Sequence, residues 1–186
     1  MGDRLQGRVA IVTAAGSGIG RAIALRFAAE GATVFVNDLT HARARETVDA
    51  MGAASARGRA VEADVSDSSA VRKMFGELES GSGRLDILVN NAGIGSSGDP
   101  RPDTAQKHEA RVVELMAGQG IKTHWDVTER MSDEVWHKMI GVHLNGTFFC
   151  TREALRPRGW WTRSREPAGA PPRSWRTCRR PSASRR

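Results

Sequence analysis

The chain of 186 residues contains no tyrosine. No phenolic side chain is therefore present to give or take a proton. Its two cysteines, Cys150 and Cys178, form neither a disulfide framework nor a zinc-ligand spacing, and a reducing cytoplasm is the expected compartment. No apolar run reaches the ~18 residues that cross a bilayer, so no membrane partner is expected. Strand-like sequence begins within a few residues of Met1, so no signal peptide is expected. His108, His124 and His137 stand at no ligand spacing, and no metal is expected.

What is present fits one domain, because 39% apolar residues can fill a core at this length. The net charge of +7 would ordinarily point to nucleic acid or an acidic surface. Its distribution points elsewhere. Residues 157–186 hold nine arginines against the single acid Glu166, so the body of the chain is near neutral.

The body reads as successive strand–helix units. Apolar strands are expected at Arg8 to Thr13, Thr33 to Asn37, Ala60 to Ala63 and Leu85 to Asn90. Helices are expected at Gly18 to Glu30, His41 to Met51, after Asp67, at Thr104 to Ala117 and at Ser132 to Leu155. The first helix is expected to carry Ile19, Ile23 and Phe27 on one face at helical spacing. The strands are nearly continuous apolar runs, as in a parallel sheet covered on both faces. Right-handed crossovers then give the neighbour order three-two-one-four. The expected fold is a doubly wound parallel α/β sheet, Rossmann-like, over residues 1–156. It is expected to stop after the helix following strand four, with a disordered basic tail over 157–186. The polar stretch 96–131 reads as either a substrate lid or a surface insertion.

The run Thr13-Ala14-Ala15-Gly16-Ser17-Gly18-Ile19-Gly20 carries the chemistry. It follows a strand and opens a helix, which lets backbone approach a pyrophosphate and aims a helix N-terminus at it. Asp38 ends the second strand, 18 residues after Gly20. An acid there accepts hydrogen bonds from the adenine ribose hydroxyls and repels a 2′-phosphate, so NAD is favoured over NADP even with Arg43 and Arg45 close by. Asp64-Val65 and Asn90-Asn91-Ala92-Gly93 end the third and fourth strands, where ligands bind in open α/β sheets. Each taken singly is also ordinary turn chemistry.

Together these residues resemble the short-chain dehydrogenase/reductase family from about Gly7 to Arg156. The family's T-G-x-x-x-G-x-G falls on Thr13 to Gly20, with Ala14 in place of the first glycine. That methyl group sits in a crowded turn, so weakened or shifted cofactor binding is expected. The adenine-contacting Asp-Val falls on Asp64-Val65, and N-N-A-G on Asn90 to Gly93. The resemblance implies cofactor contacts from Thr13, Gly16, Ser17, Gly18, Ile19, Gly20, Asp38, Asp64, Val65, Asn91, Ala92 and Gly93. A later motif, Val142-His143-Leu144-Asn145-Gly146-Thr147-Phe148, places His143 where the family carries a catalytic asparagine. His143 either holds a proton-relay water or is a helix histidine satisfied by packing and a backbone contact.

The resemblance also implies NAD-dependent hydride transfer with a small-molecule alcohol or carbonyl. The family's tyrosine, its lysine four residues later and its serine have no counterpart here, so this chain is expected to be inactive. Read out of frame, the tail can encode Ile-Val-Ala-Asn-Met-Ser-Ser-Ala-Ile-Gly, similar to the family's fifth strand and serine, and a frameshift near Pro157 would account for it. Homo-oligomerisation of the family type is expected to be impaired. Two other readings stand beside this one. The arginine-rich tail with Trp160, Trp161 and Trp175 contacts nucleic acid, which the confinement of charge to the tail disfavours, or the chain is a catalytically dead NAD-sensing partner.

Overall fold

The computed structural model describes residues 3–95, 104–118, 120–124, 129 and 131–156. The expectations for the tail, 157–186, and for parts of 96–131 lie outside the described residues.

Four strands, β1 (Val9–Val12), β2 (Thr33–Asp38), β3 (Gly58–Glu62) and β4 (Ile87–Val89), alternate with α1 (Gly18–Ala29), α2 (His41–Asp49) and α3 (Ser68–Ser82). The strands are all parallel and lie in the order β3-β2-β1-β4, the order that right-handed crossovers dictate. Asp38 pairs with Glu62 and Val12 with both Val36 and Val89, so the C-terminal strand ends lie side by side. Among the described residues β4 is an edge strand.

Alternation along the strands feeds two cores. Val9, Ile11 and Phe35 meet Val71, Met74, Phe75 and Leu78 of α3 on one face. Val12, Val34 and Val36 meet Ala24 and Ala28 of α1 and Ala44 and Val48 of α2 on the other. The inward face of α1 is thus Gly20, Ala24 and Ala28, whereas Ile19 is 75% exposed. Small residues bring the helix axis close to the sheet. Ile23 and Phe27 pack only at the margin.

The expectation that the fold stops after the helix following strand four is overturned. The chain continues through α4 (Thr104–Met116), α5 (Asp133–Ile140), a π turn (Gly141–Asn145) and α6 (Gly146–Leu155). The helix expected over Ser132 to Leu155 is therefore two helices with a one-turn widening between them. The last helix returns to the sheet and covers it. Cys150 is fully buried, Phe149 and Ala154 pack against the α3 side of the core, and Arg152 donates to Ser68 Oγ at 2.9 Å. Burial, and then the charge of Glu153, pushes the Cys150 thiol up to about 12, so it packs as a small apolar side chain. Within 96–131, Glu114 of α4 accepts from the Lys122 and Thr123 backbone N–H groups and from the Thr123 hydroxyl, which folds the following segment back on the helix. No helix among the described residues is long and apolar enough to cross a membrane.

The N-terminal segment is fastened at Glu30, 4% exposed at the end of α1. Its Oε1 accepts from Arg4 at 2.9 Å and from Arg26 at 2.6 Å, and its backbone oxygen accepts from Leu5 N–H. The hydrogen bond from Arg4, against the opposing effect of burial and reinforced by Arg26, draws the carboxyl from 4.5 down to about 2. The folded state thus favours the ionised form. The stabilisation is complete above 4.5 and is lost as the pH falls through about 2. Thermal melts over an acid series should show this loss, and Glu30→Gln should lower stability at neutral pH while flattening the acid limb. An acid limb unchanged in the variant would remove Glu30 from it.

Ala14 opens the turn between β1 and α1 and is the sole non-glycine residue at positive φ, 49°, among the described residues. An L-residue there costs about 1–2 kcal/mol, of which part is offset by the lower entropy of alanine in the unfolded chain. Ala14→Gly is therefore expected to stabilise the chain by about 1 kcal/mol. A urea midpoint that falls would contradict the assignment of strain.

Candidate dinucleotide site

The cradle starts from how the β1–α1 turn is anchored. Thr13, 1% exposed, uses its Oγ1 to accept from Asn91 N–H at 2.9 Å and Ala92 N–H at 3.0 Å. Asn91 returns the contact, since its Nδ2 donates to Thr13 O at 2.9 Å and Ala14 O at 3.3 Å. The two residues lock the turn to the end of β4. On the other side Ala15 N–H donates to Asn37 O at 2.7 Å, and the Thr47 hydroxyl donates to Ala15 O at 2.9 Å. The buried Asn37 side chain donates to Ala63 O at 3.1 Å and so ties the end of β2 to the end of β3. A turn held from both sides has its backbone amides aimed before anything binds.

The glycines answer three separate demands. A Cβ on Gly16 would stand 2.5 Å from Asp38 Oδ2, and one on Gly20 would stand 2.5 Å from both Ala14 O and Asn91 Nδ2. Those two allow the turn to close on its neighbours. Gly18 has φ +54° with open space where a Cβ would project, which keeps the approach to the helix start clear. Ser17 is the N-cap of α1 yet its side chain makes no capping bond, and the first turn carries no acid. The first amides of α1 thus remain available to an anion.

Asp38 is 4% exposed. Its Oδ2 accepts from Gly16 N–H at 2.9 Å, and Oδ1 accepts from Leu39 N–H at 2.9 Å. Arg43 on α2 reaches it, Nη1 to Oδ1, at 3.3 Å. Asp64 turns its Oδ1 onto the Ser66 N–H and hydroxyl, at 2.8 and 2.7 Å. Val65 beside it supports α6, because a Cβ on Gly146 would lie 2.8 Å from Val65 Cγ2. His143, on the π turn, reaches the loop after β4. Its Nε2 lies 2.8 Å from Ile94 O and 3.1 Å from Ile94 N, so it donates to the first or accepts from the second according to tautomer. A Cβ on Gly93 would lie 2.8 Å from the His143 ring.

A cavity of about 200 Å³ opens at these strand ends. Ser17, Asp38, Asp64, Val65, Ala92 and Gly93 line it, from among the residues expected in the site. Thr13, Gly16, Gly18, Ile19, Gly20 and Asn91 do not line it. Ile19 stands exposed at the helix start, next to the open space over Gly18, and His143 supports the loop that forms the far wall. Arg43, Leu39 and Ile94 also line the cavity. Arg43 was visible in the sequence only as a basic residue near the acid. Its place in the wall depends on the cap of α2, where the Thr40 hydroxyl accepts from Arg43 N–H at 3.4 Å. The buried supports Asn37 and Thr47 gave no signal, since a polar residue on a strand or helix reads as solvated.

The glycine turn, open helix start and buried carboxylate fit a dinucleotide held by its pyrophosphate and adenine ribose. Comparison with known proteins agrees. The family model of the short chain dehydrogenase matches residues 8–116. The 3beta-hydroxysteroid dehydrogenase of Mediterraneibacter gnavus is 36% identical over 154 residues, covering 82% of this chain and 46% of that protein. The meso-2,3-butanediol dehydrogenase of Serratia marcescens is also 36% identical over 154 residues, covering 82% and 49%. The crystal structure of the 3-ketoacyl-(acyl-carrier-protein) reductase from Brucella melitensis, complexed with NADH, superposes with a TM-score of 0.62 at 32% identity, over 81% of this chain and 50% of that one. The chain spans about half the length of the curated relatives it matches. On its turn, its sheet order and this match, the chain belongs to the short chain dehydrogenase family.

Proposed function

We propose that this polypeptide binds a nicotinamide dinucleotide, NAD in preference to NADP, and that by itself it transfers no hydride. The observation that carries the reading is the buried Asp38 carboxylate at the edge of the cavity, bonded to the amide of Gly16. Ser17 to Gly20 would hold the pyrophosphate through backbone N–H groups and the α1 N-terminus. Asp38 would accept from the ribose hydroxyls, and its charge disfavours a 2′-phosphate. Asp64 and Val65 would border the adenine, and Ala92 and Gly93 the nicotinamide half. Thr13 and Asn91 act through the turn they fasten.

The nicotinamide ring supplies a hydride donor or acceptor when bound. The substrate class of the parent reaction is a small-molecule alcohol or carbonyl. A hydride transfer to or from such a group also needs a proton moved at its oxygen. The chain has no tyrosine to do so. Among the described residues, His143 stands near the cavity wall with its Nε2 taken up by Ile94, and Asp64 in the lining is bonded to Ser66. Binding without turnover follows.

Titration of the purified chain with NADH, followed by nicotinamide fluorescence, should saturate, and Asp38→Ala should weaken it by about tenfold or more. Lack of saturation would overturn the binding half. The inactive half is tested by assaying NAD reduction with short and long-chain secondary alcohols. Turnover above that of Gly16→Ala would overturn it.

A further inference from the structure

The buried face of α2 consists of Ala44, Thr47 and Val48. Ala44 and Val48 fill the core, whereas Thr47 is polar and 0% exposed. A helix threonine ordinarily turns its hydroxyl onto the carbonyl one turn back, which here is that of Arg43. The Thr47 hydroxyl instead donates to Ala15 O at 2.9 Å, a buried contact across 32 residues. A hydroxyl has one proton to give, so this one is committed to the turn between β1 and α1 and not to its own helix. The two meet because α2 lies against that turn. A Cβ on Gly16 would stand 2.9 Å from Arg43 Cβ, one helical turn before Thr47.

Ala15 O belongs to the peptide unit that joins Ala15 to Gly16. That unit is planar, with its oxygen and its N–H on opposite sides. Thr47 holds the oxygen and Asp38 Oδ2 holds the N–H, each at 2.9 Å. Held at both ends, the plane cannot rotate without breaking two buried hydrogen bonds. Directly after it comes the start of α1, where the Ser17 side chain makes no capping bond. The aim of the amides from Ser17 to Gly20 is therefore set by one peptide plane, and the group fixing its oxygen sits on a different helix. Without the hydroxyl, Ala15 O becomes a buried acceptor that has lost its donor. Rotation of the plane would relieve it and turn Gly16 N–H away from Asp38. The amides would then be misdirected, while the Asp38 carboxylate would gain a free lone pair.

We propose that Thr47 is a positioning residue for the pyrophosphate: its hydroxyl fixes the plane between Ala15 and Gly16, and through it the aim of the α1 amides, without touching the ligand. The proposal rests on the dinucleotide reading above and deepens it. It separates the grip on the pyrophosphate, which depends on Thr47, from the grip on the ribose, which depends on Asp38.

The test uses three probes on the full chain: NADH by its fluorescence, and ADP-ribose and adenosine by displacement of NADH. Thr47→Val is expected to raise the Kd for NADH and ADP-ribose about tenfold, and to leave that for adenosine unchanged or lower. Thr47→Ser keeps the hydroxyl and should bind ADP-ribose as the parent does. Thr47→Ala removes the hydroxyl without setting a methyl against the carbonyl, and should show the same split if the valine variant does not fold. Parallel weakening of all three ligands would mean a general structural role and overturn the proposal. So would an unchanged ADP-ribose affinity, a serine variant as weak as the valine one, or failure of both hydroxyl-free variants to fold. Parent protein that binds neither NADH nor ADP-ribose would instead remove the dinucleotide reading, and this inference with it.

Discussion

The bond from Gly16 N–H to the Asp38 carboxylate is the constraint on which the rest of the site depends. It is buried, 2.9 Å long, and joins residues 22 apart. It forms only because β2 lies next to β1 in parallel register, which sets the end of one strand beside the turn that leaves the other. It also forbids any side chain at Gly16, where a Cβ would collide with the carboxylate. A charge-assisted bond of this kind contributes about 1.5–3 kcal/mol, and an acid buried without it would carry a comparable penalty. The same bond thus stabilises the turn and fixes the acid at the mouth of the cavity. Fold and binding site are here one set of contacts.

The surrounding contacts have one purpose, which is to keep that turn from moving. Thr13 and Asn91 hold it from the β4 side, Asn37 and Thr47 from the β2 and α2 side. Asn37 acts through its backbone oxygen, and the side chains of Thr13, Asn91 and Thr47 need not touch a ligand to matter. Their hydrogen bonds replace those that turn backbone would otherwise make to water, so the amides facing the cavity are oriented in advance. Preorganisation of that kind reduces the ordering cost of binding.

What was legible in the sequence follows from which forces are local. The glycine turn, the apolar runs and the acid at the end of β2 are short-range patterns, and strand order follows from crossover handedness. Three features were not legible, each for a physical reason. Ile19 has helical spacing to Ile23 and Phe27, yet α1 buries Gly20, Ala24 and Ala28 instead. Close approach to the sheet favours the smallest side chains, which hydrophobic spacing undervalues. The π turn at Gly141–Asn145 interrupts a continuous helical pattern, and it carries His143 against Ile94 while Cys150 is buried in the core. Arg43 gains its place from a cap and a strand end that meet only in three dimensions.

The site also separates two demands that the family's chemistry makes together. Holding a dinucleotide asks for backbone amides, one acid and space, and groups of that kind meet at the ends of β1 to β4, from residues 13–93. Moving a proton at a substrate oxygen asks for a titratable group whose acceptor or donor faces outward. Among the described residues near this cavity, two groups of that kind are hydrogen-bonded elsewhere. Asp64 is bonded to Ser66, and His143 to Ile94. The His143 imidazole is thus engaged in shaping the far wall. Binding a dinucleotide and moving a proton thus ask for different groups, and the first set can be assembled without the second.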